Sequence, residues 1–226
     1  MSDTKSEKGW IELFNGRDLS GWRALSKDGK HEWRVAGKVT LNPDDEKLFA
    51  IEPGEGIFVN GDKGRTANIA TELNHADCEA HIEFVVPKGS NSGVYFMGHY
   101  EIQVLDSWGK EEVQYSDCGG IYCQWINNQA VGGTPPRVNA AKPPGEWQTY
   151  DVIFQAPRFD EKGNKTRNAM FVKVVHNGVV VHENVEVGGA TRASMPGPER
   201  TQGPLMLQGD HGPVAYRNVR IRPLKP

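Results

Sequence analysis

Residues 171–183 read Phe-Val-Lys-Val-Val-His-Asn-Gly-Val-Val-Val-His-Glu, two valine-rich runs joined by Asn177-Gly178. Asn-Gly supplies the positive φ angles that a two-residue hairpin loop requires, and branched valines suit a pleated sheet better than a helix. The segment therefore predicts an antiparallel hairpin. Pairing Val174 with Val181 and His176 with Val179 places Val172, Val174, Val179 and Val181 on a core face. His182 then falls on the other face, as a surface or strand-pair histidine. No stretch of a dozen residues carries an apolar three-to-four period, so the rest of the chain is also expected to be strands and loops.

Turn signals divide the chain accordingly, at Asn15-Gly16, Asp28-Gly29, Pro53-Gly54 and Asn60-Gly61, within a composition of 26 glycines and 14 prolines. Strands are expected over 33–41, 49–51, 68–72, 78–86, 93–105, 120–125, 148–155, 204–208 and 214–222. Their number and spacing predict an all-β fold, a two-sheet antiparallel β-sandwich. Residues 1–8 read as a disordered tail and 9–226 as a single domain. The formal charge of -3 is dispersed, which argues against nucleic acid or a membrane surface as partner. No run approaches the roughly 18 apolar residues of a membrane span, and the first residues lack the hydrophobic core of an export signal. Cys118 and Cys123 would lie about 16 Å apart along a strand, too far for a disulfide, and are expected to be buried thiols.

The stretch 91–108 reads as one bent strand carrying Glu101 and Gln103 on one face, opposite Ile102 and Val104. Asp106 has the wrong parity for the polar face, but a β-bulge would return it there. Two carboxylates and an amide would then line one surface.

Several motifs occur in order: Leu13-Phe-Asn-Gly-Arg-Asp-Leu-Ser-Gly-Trp22, Asn91-Ser-Gly-Val-Tyr-Phe96, Tyr100-Glu-Ile-Gln-Val-Leu-Asp106, Gly120-Ile-Tyr122, Lys142-Pro-Pro-Gly-Glu-Trp147, and the stretch Leu207-Gln-Gly-Asp-His211 running on to Arg222. Together they resemble the 3-keto-disaccharide hydrolase domain family, from about Gly9 to Leu224. The resemblance implies a concanavalin A-like jelly roll with a carbohydrate site on its concave face. It also implies a bacterial protein of the periplasm or exterior, although a cytoplasmic location stays open. The implied chemistry is cleavage of 3-keto-glycosides. The ketone acidifies the hydrogen on carbon 2, a base removes it, and the enolate expels the group on carbon 1; later addition of water makes the outcome hydrolysis. Such a site needs a base, an acid for the leaving oxygen and a stabiliser for the enolate.

Glu101, Asp106 and His211 are the candidate catalytic cluster, with His211 as the base or, together with the two carboxylates, as a ligand of a divalent metal ion. No nucleotide cofactor is expected. Gln103, Gln208, Tyr95, Tyr122 and Gln124 are candidates to meet sugar hydroxyls on the same face, and Arg217 to bind the ketone oxygen or leaving group, or instead to form a salt bridge on the last strand. Trp108 and Trp125 are candidate rim platforms, while Trp147 is expected in the core. Arg137, Asn139 and Lys142 lie in a Pro-rich loop placed to act as a lid or subsite wall. Two other functions fit the same fold. A conventional glycoside hydrolase would use Glu101 and Asp106 as its carboxylate pair, and a noncatalytic carbohydrate-binding module would need the aromatic platforms alone.

Overall fold

The computed structural model describes residues 9–225, so the expected tail over 1–8 lies outside the described residues. Among the described residues there is no helix. The strands are β1 (Ile11–Glu12), β2 (Trp22–Ala24), β3 (Arg34–Leu41), β4 (Phe49–Val59), β5 (Ile69–His75), β6 (Cys78–Val85), β7 (Asn91–Phe96), β8 (Tyr100–Leu105), β9 (Gln124–Ile126), β10 (Gln129–Val131), β11 (Gln148–Gln155), β12 (Arg158–Phe159), β13 (Lys165–Arg167), β14 (Ala169–His176), β15 (Val179–Val187), β16 (Gly203–Leu207) and β17 (Ala215–Pro223). One sheet runs β15-β14-β11-β6-β17-β4-β3, with β1 also on β17; the other runs β2-β5-β16-β7-β8. Every pairing within them is antiparallel. The expected two-sheet jelly-roll sandwich is what the chain forms. The pairs β9-β10 and β12-β13 stand apart as two-stranded ribbons.

Period-two patterning drives this arrangement. In β6 Cys78, Ala80, Ile82 and Phe84 alternate as buried residues, joined at the end by Val85, and in β11 Gln148, Tyr150, Val152 and Phe154 are buried. Their apolar side chains meet Val94, Phe96, Ile102 and Val104 of the smaller sheet in one core. Phe96 joins the layers, its ring 5.1 Å from Phe154 and 5.5 Å from Phe171. Burying each such ring is worth about 2–3 kcal/mol, so these aromatics weld the two sheets.

Three local expectations are corrected. Residues 91–105 form a hairpin, because Met97 and Gly98 take φ of 53° and 71° and turn the chain between Phe96 and Tyr100. Buried His75 fastens this turn: Nε2 accepts the Met97 N–H at 3.1 Å, while Nδ1 donates to Ala76 O at 2.9 Å. Secondly, Pro53-Gly54 lies inside β4 instead of ending a strand. At Gly54, with φ 149°, a Cβ would come within 2.6 Å of Gly37 Cα, so two backbones touch there beside the register shift of β3. Thirdly, the Asn177-Gly178 hairpin forms with His176 opposite Val179, but a register shift between Val174 and Val175 sets Val174 against His182. Beyond that shift His182 is buried, its Nε2 donating to Gly119 O at 2.7 Å, while Val179 beside the turn is exposed. Burial holds the His182 pKa below its ordinary value.

Candidate active site

On β7 and β8 the residues that do not enter the core face outward from the smaller sheet, and they floor a cavity of about 320 Å³. Asn91, Tyr95, Glu101, Gln103, Tyr122, Arg192, Ala193, Gln208 and His211 line it. Register explains the floor: Gln103 lies opposite Gly93, and Glu101 opposite Tyr95. Gly93 makes room for the acid, since a Cβ there would sit 2.1 Å from Glu101 Oε1. The backbone of Glu101 is pinned on both sides. Its N–H donates to Thr191 Oγ1 at 3.2 Å, and its carbonyl accepts Tyr122 N–H at 3.1 Å.

Glu101 is only 3 % exposed. Burial drives its pKa up to about 8, opposed by a single side-chain hydrogen bond from the Tyr95 hydroxyl. The carboxyl is therefore protonated at neutral pH, a perturbation of the kind found where carboxyls act as acids. Beside it Gln103 spends Nε2 on Ser116 O at 3.1 Å, while its buried Oε1 has no partner. A buried acceptor left open beside a cavity is ready for a ligand hydroxyl.

The walls come from distant segments. Residues 188–202 form a strap after β15 and cross the β7-β8 turn, where Met195 N–H donates to Gly98 O at 2.9 Å. Within the strap, Arg192 stacks its guanidinium 4.0 Å over the Trp125 ring of the β9-β10 ribbon. Tyr122 stands edge-on to Tyr115 at 5.5 Å, and burial followed by the nearby Glu101 raises its pKa, keeping the phenol protonated. At the opposite side, Gln208 follows β16 and donates its N–H to Gly93 O at 3.0 Å. His211, half-exposed at the rim, binds Asp210 Oδ1 through Nδ1 at 2.6 Å. Donation from Nδ1 leaves Nε2 with its lone pair available.

Tyr95, Glu101, Gln103, Tyr122, Gln208 and His211 are thus brought together. The other candidates lie elsewhere. The β7-β8 register is regular, with no bulge before Asp106. Its carboxylate instead accepts the Gly89 N–H at 2.8 Å and the Trp108 N–H at 3.3 Å, outside the cavity lining. Among the described residues no three His, Cys, Asp or Glu side chains converge to hold a metal ion. Glu101, Asp106 and His211 do not assemble as the expected ligand set. Arg217 takes the salt-bridge alternative, with Nε 2.6 Å from Glu83 Oε2 and its guanidinium 4.0 Å over half-buried Trp147.

The Pro-rich loop is occupied with its own structure. Arg137 pairs with Glu183 at 2.5 Å, Asn139 Nδ2 donates to Ser107 O and Lys110 O at 2.7 and 2.9 Å, and Lys142 Nζ donates to Trp147 O at 3.0 Å. Gln124 packs against Gly189, where a Cβ would approach its Nε2 to 2.3 Å. Trp108 is exposed but does not line the cavity, and Trp125 reaches it only through Arg192. Sequence reasoning missed Asn91, Arg192, Ala193 and Asp210. Asn91 and Asp210 were the legible ones, each within a stretch already singled out.

The sequence profile of the family described as the 3-keto-alpha-glucoside-1,2-lyase-like domain matches residues 9–222. A 3-keto-disaccharide hydrolase of Bacteroides thetaiotaomicron is 25% identical, over 96% of this chain and 79% of its own. Among solved structures, a candidate glycosyl hydrolase of Parabacteroides distasonis superposes with a TM-score of 0.67 and 32% identity, covering 96% of this chain and 84% of that one. A second candidate glycosyl hydrolase from the same organism gives a TM-score of 0.62 at 19% identity, covering 100% and 98%. That second likeness speaks for the fold.

Proposed function

The chain belongs to the 3-keto-alpha-glucoside-1,2-lyase-like domain family, and from that membership we propose that it is a carbohydrate-active enzyme cleaving 3-keto-glycosides, disaccharides among them, by elimination. His211 Nε2 takes the proton from carbon 2, and the electron pair forms an enolate with the carbon 3 ketone. Collapse of the enolate breaks the bond between carbon 1 and the glycosidic oxygen, and that oxygen receives the Glu101 proton. The products are a 2-hydroxy-3-keto-glycal and an alcohol, leaving Glu101 ionised and His211 protonated. Addition of water to the glycal gives the net hydrolysis that the name of the Bacteroides relative describes.

The observation that carries this reading is one cavity holding a carboxyl kept protonated to about pH 8 beside a histidine whose Nδ1 is committed to Asp210. Acid and base are supplied by different residue types, each in the form its step needs. Arg192 and the Tyr122 hydroxyl are donors for enolate charge, and Gln103 Oε1 accepts a sugar hydroxyl. The conventional two-carboxylate hydrolase has less support, because among the described residues Glu101 is the one carboxylate lining the cavity. A binding module has no use for a protonated, desolvated Glu101.

The test compares a 3-keto-glucoside with its unoxidised parent, following product release and exchange of the carbon 2 hydrogen in deuterated water. The ketone is expected to be turned over at least about 10²-fold faster, with exchange lost in His211→Ala. Equal turnover of the two compounds would point to ordinary glycoside hydrolysis, and binding without turnover to a module.

A further inference from the structure

A second cavity, of about 280 Å³, lies on the other side of the strap, with Arg23, Asn74, His99, Met195, Arg200 and Gln202 in its walls. The strap divides the two spaces: Arg192 and Ala193 face the first, and Met195 onward faces the second. Arg23 and Arg200 thus line one cavity, and neither side chain has an ion pair or hydrogen bond among the described residues. The carboxylate adjacent in sequence to Arg200 is unavailable, since Glu199 accepts from the Tyr100 hydroxyl at 2.5 Å and from Lys165 at 2.8 Å. His99 is 7 % exposed, and its buried Nδ1 has no partner. Burial lowers its pKa, so the ring is neutral and Nδ1 seeks a neutral hydrogen-bonding group.

Paired arginines select an oxyanion, because each presents a planar fork of donors. The remaining polar walls call for something more. Asn74, Gln202 and His99 are uncharged side chains that suit hydroxyl groups, and the volume is several times the roughly 30 Å³ of a water molecule. Met195 is an adaptable part of the cavity wall. We propose that this cavity is a separate binding site for an anionic sugar, its carboxylate or phosphate held by Arg23 and Arg200 and its hydroxyls by Asn74, Gln202 and His99. The site stands whether or not the first cavity cleaves 3-keto-glycosides.

Calorimetric titration with glucuronate, glucose 6-phosphate, glucose and inorganic phosphate tests it. At least one anionic sugar is expected to bind at least tenfold more tightly than glucose and than inorganic phosphate, and the tighter of the two identifies the acidic group. The double variant Arg23→Gln/Arg200→Gln should lose at least tenfold of that affinity while keeping its melting temperature and its turnover of the 3-keto-glucoside. Arg192→Gln should bind the anionic sugar as the wild type does. Unchanged affinity in the double variant, loss in Arg192→Gln, or phosphate binding as tightly as both sugars would overturn the proposal.

Discussion

Glu83 and Glu101 stand on the outward faces of the two sheets, and the contrast between them separates a structural carboxylate from a reactive one. Glu83, on β6, receives Arg217 Nε and Asn218 Nδ2, both at 2.6 Å, with His81 Nε2 3.6 Å away. Burial pushes its pKa up, but the hydrogen bonds from Asn218 and Arg217 outweigh it and the group ends below its ordinary value. Glu101 is more deeply buried and has only the Tyr95 hydroxyl, so burial wins. The same side chain on the same architecture is an anion in one place and an acid in the other. Satisfied charge holds a sheet together, whereas an acid with few partners retains a proton it can give away.

The largest expected effect is on turnover. Glu101→Gln should lower kcat/KM by about 10²–10⁴, with His211→Ala comparable, while Glu83→Gln leaves it within about twofold. Equal losses at the two glutamates, measured by steady-state kinetics, would break the contrast. Gly93→Ala comes next: its Cβ overlaps Glu101 Oε1, so turnover should fall at least about tenfold, with about 1–3 kcal/mol of stability lost in denaturant titration.

Stability should move in opposite directions at the two glutamates. Between the ordinary value of 4.5 and about 8, folded Glu101 keeps a proton that the unfolded chain has released, so it costs stability as pH rises through that window. Glu101→Gln should therefore be more stable than wild type above pH 8, by up to about 5 kcal/mol, with the advantage fading toward pH 4.5. Glu83→Gln should instead lose about 1 kcal/mol at neutral pH. Thermal melts across pH would read both. Turnover should also decline as pH passes about 8 and Glu101 loses its proton, a limb absent from Glu101→Gln. The smallest effect sharpens the comparison from outside the cavity: His182→Ala should cost about 1–3 kcal/mol through lost packing and its Gly119 bond, with kcat changed less than about threefold.

Where pattern is local and periodic, the sequence was legible. The alternation of β6 and β11 and the Asn177-Gly178 turn needed no distant information, and parity alone put Glu101 and Gln103 on one face. The failures came from single-residue departures. Met97 takes a positive φ without being glycine, and so hid the β7-β8 turn; the shift at Val174 reversed His182; the bulge expected before Asp106 did not form. A one-residue slip changes which face a side chain occupies, and nothing in local composition announces it. Arg192 was invisible for another reason: it joins the cavity by a long return of the chain, stacked on a tryptophan 67 positions earlier.

In the smaller sheet, β16 sits between β5 and β7 although it is made long after both. During synthesis on a ribosome, β5 and the β7-β8 hairpin would emerge with their neighbouring edges open, and they stay open until residues 203–207 arrive to bridge them. Such distant pairing is slow, because the loop must close before the contacts form. Glu101 would meanwhile lack its final walls, since Gln208 and His211 come later still. A nascent chain therefore has no complete cavity until residues 203–211 have been made, and a product truncated before residue 203 would carry exposed strand edges prone to aggregation.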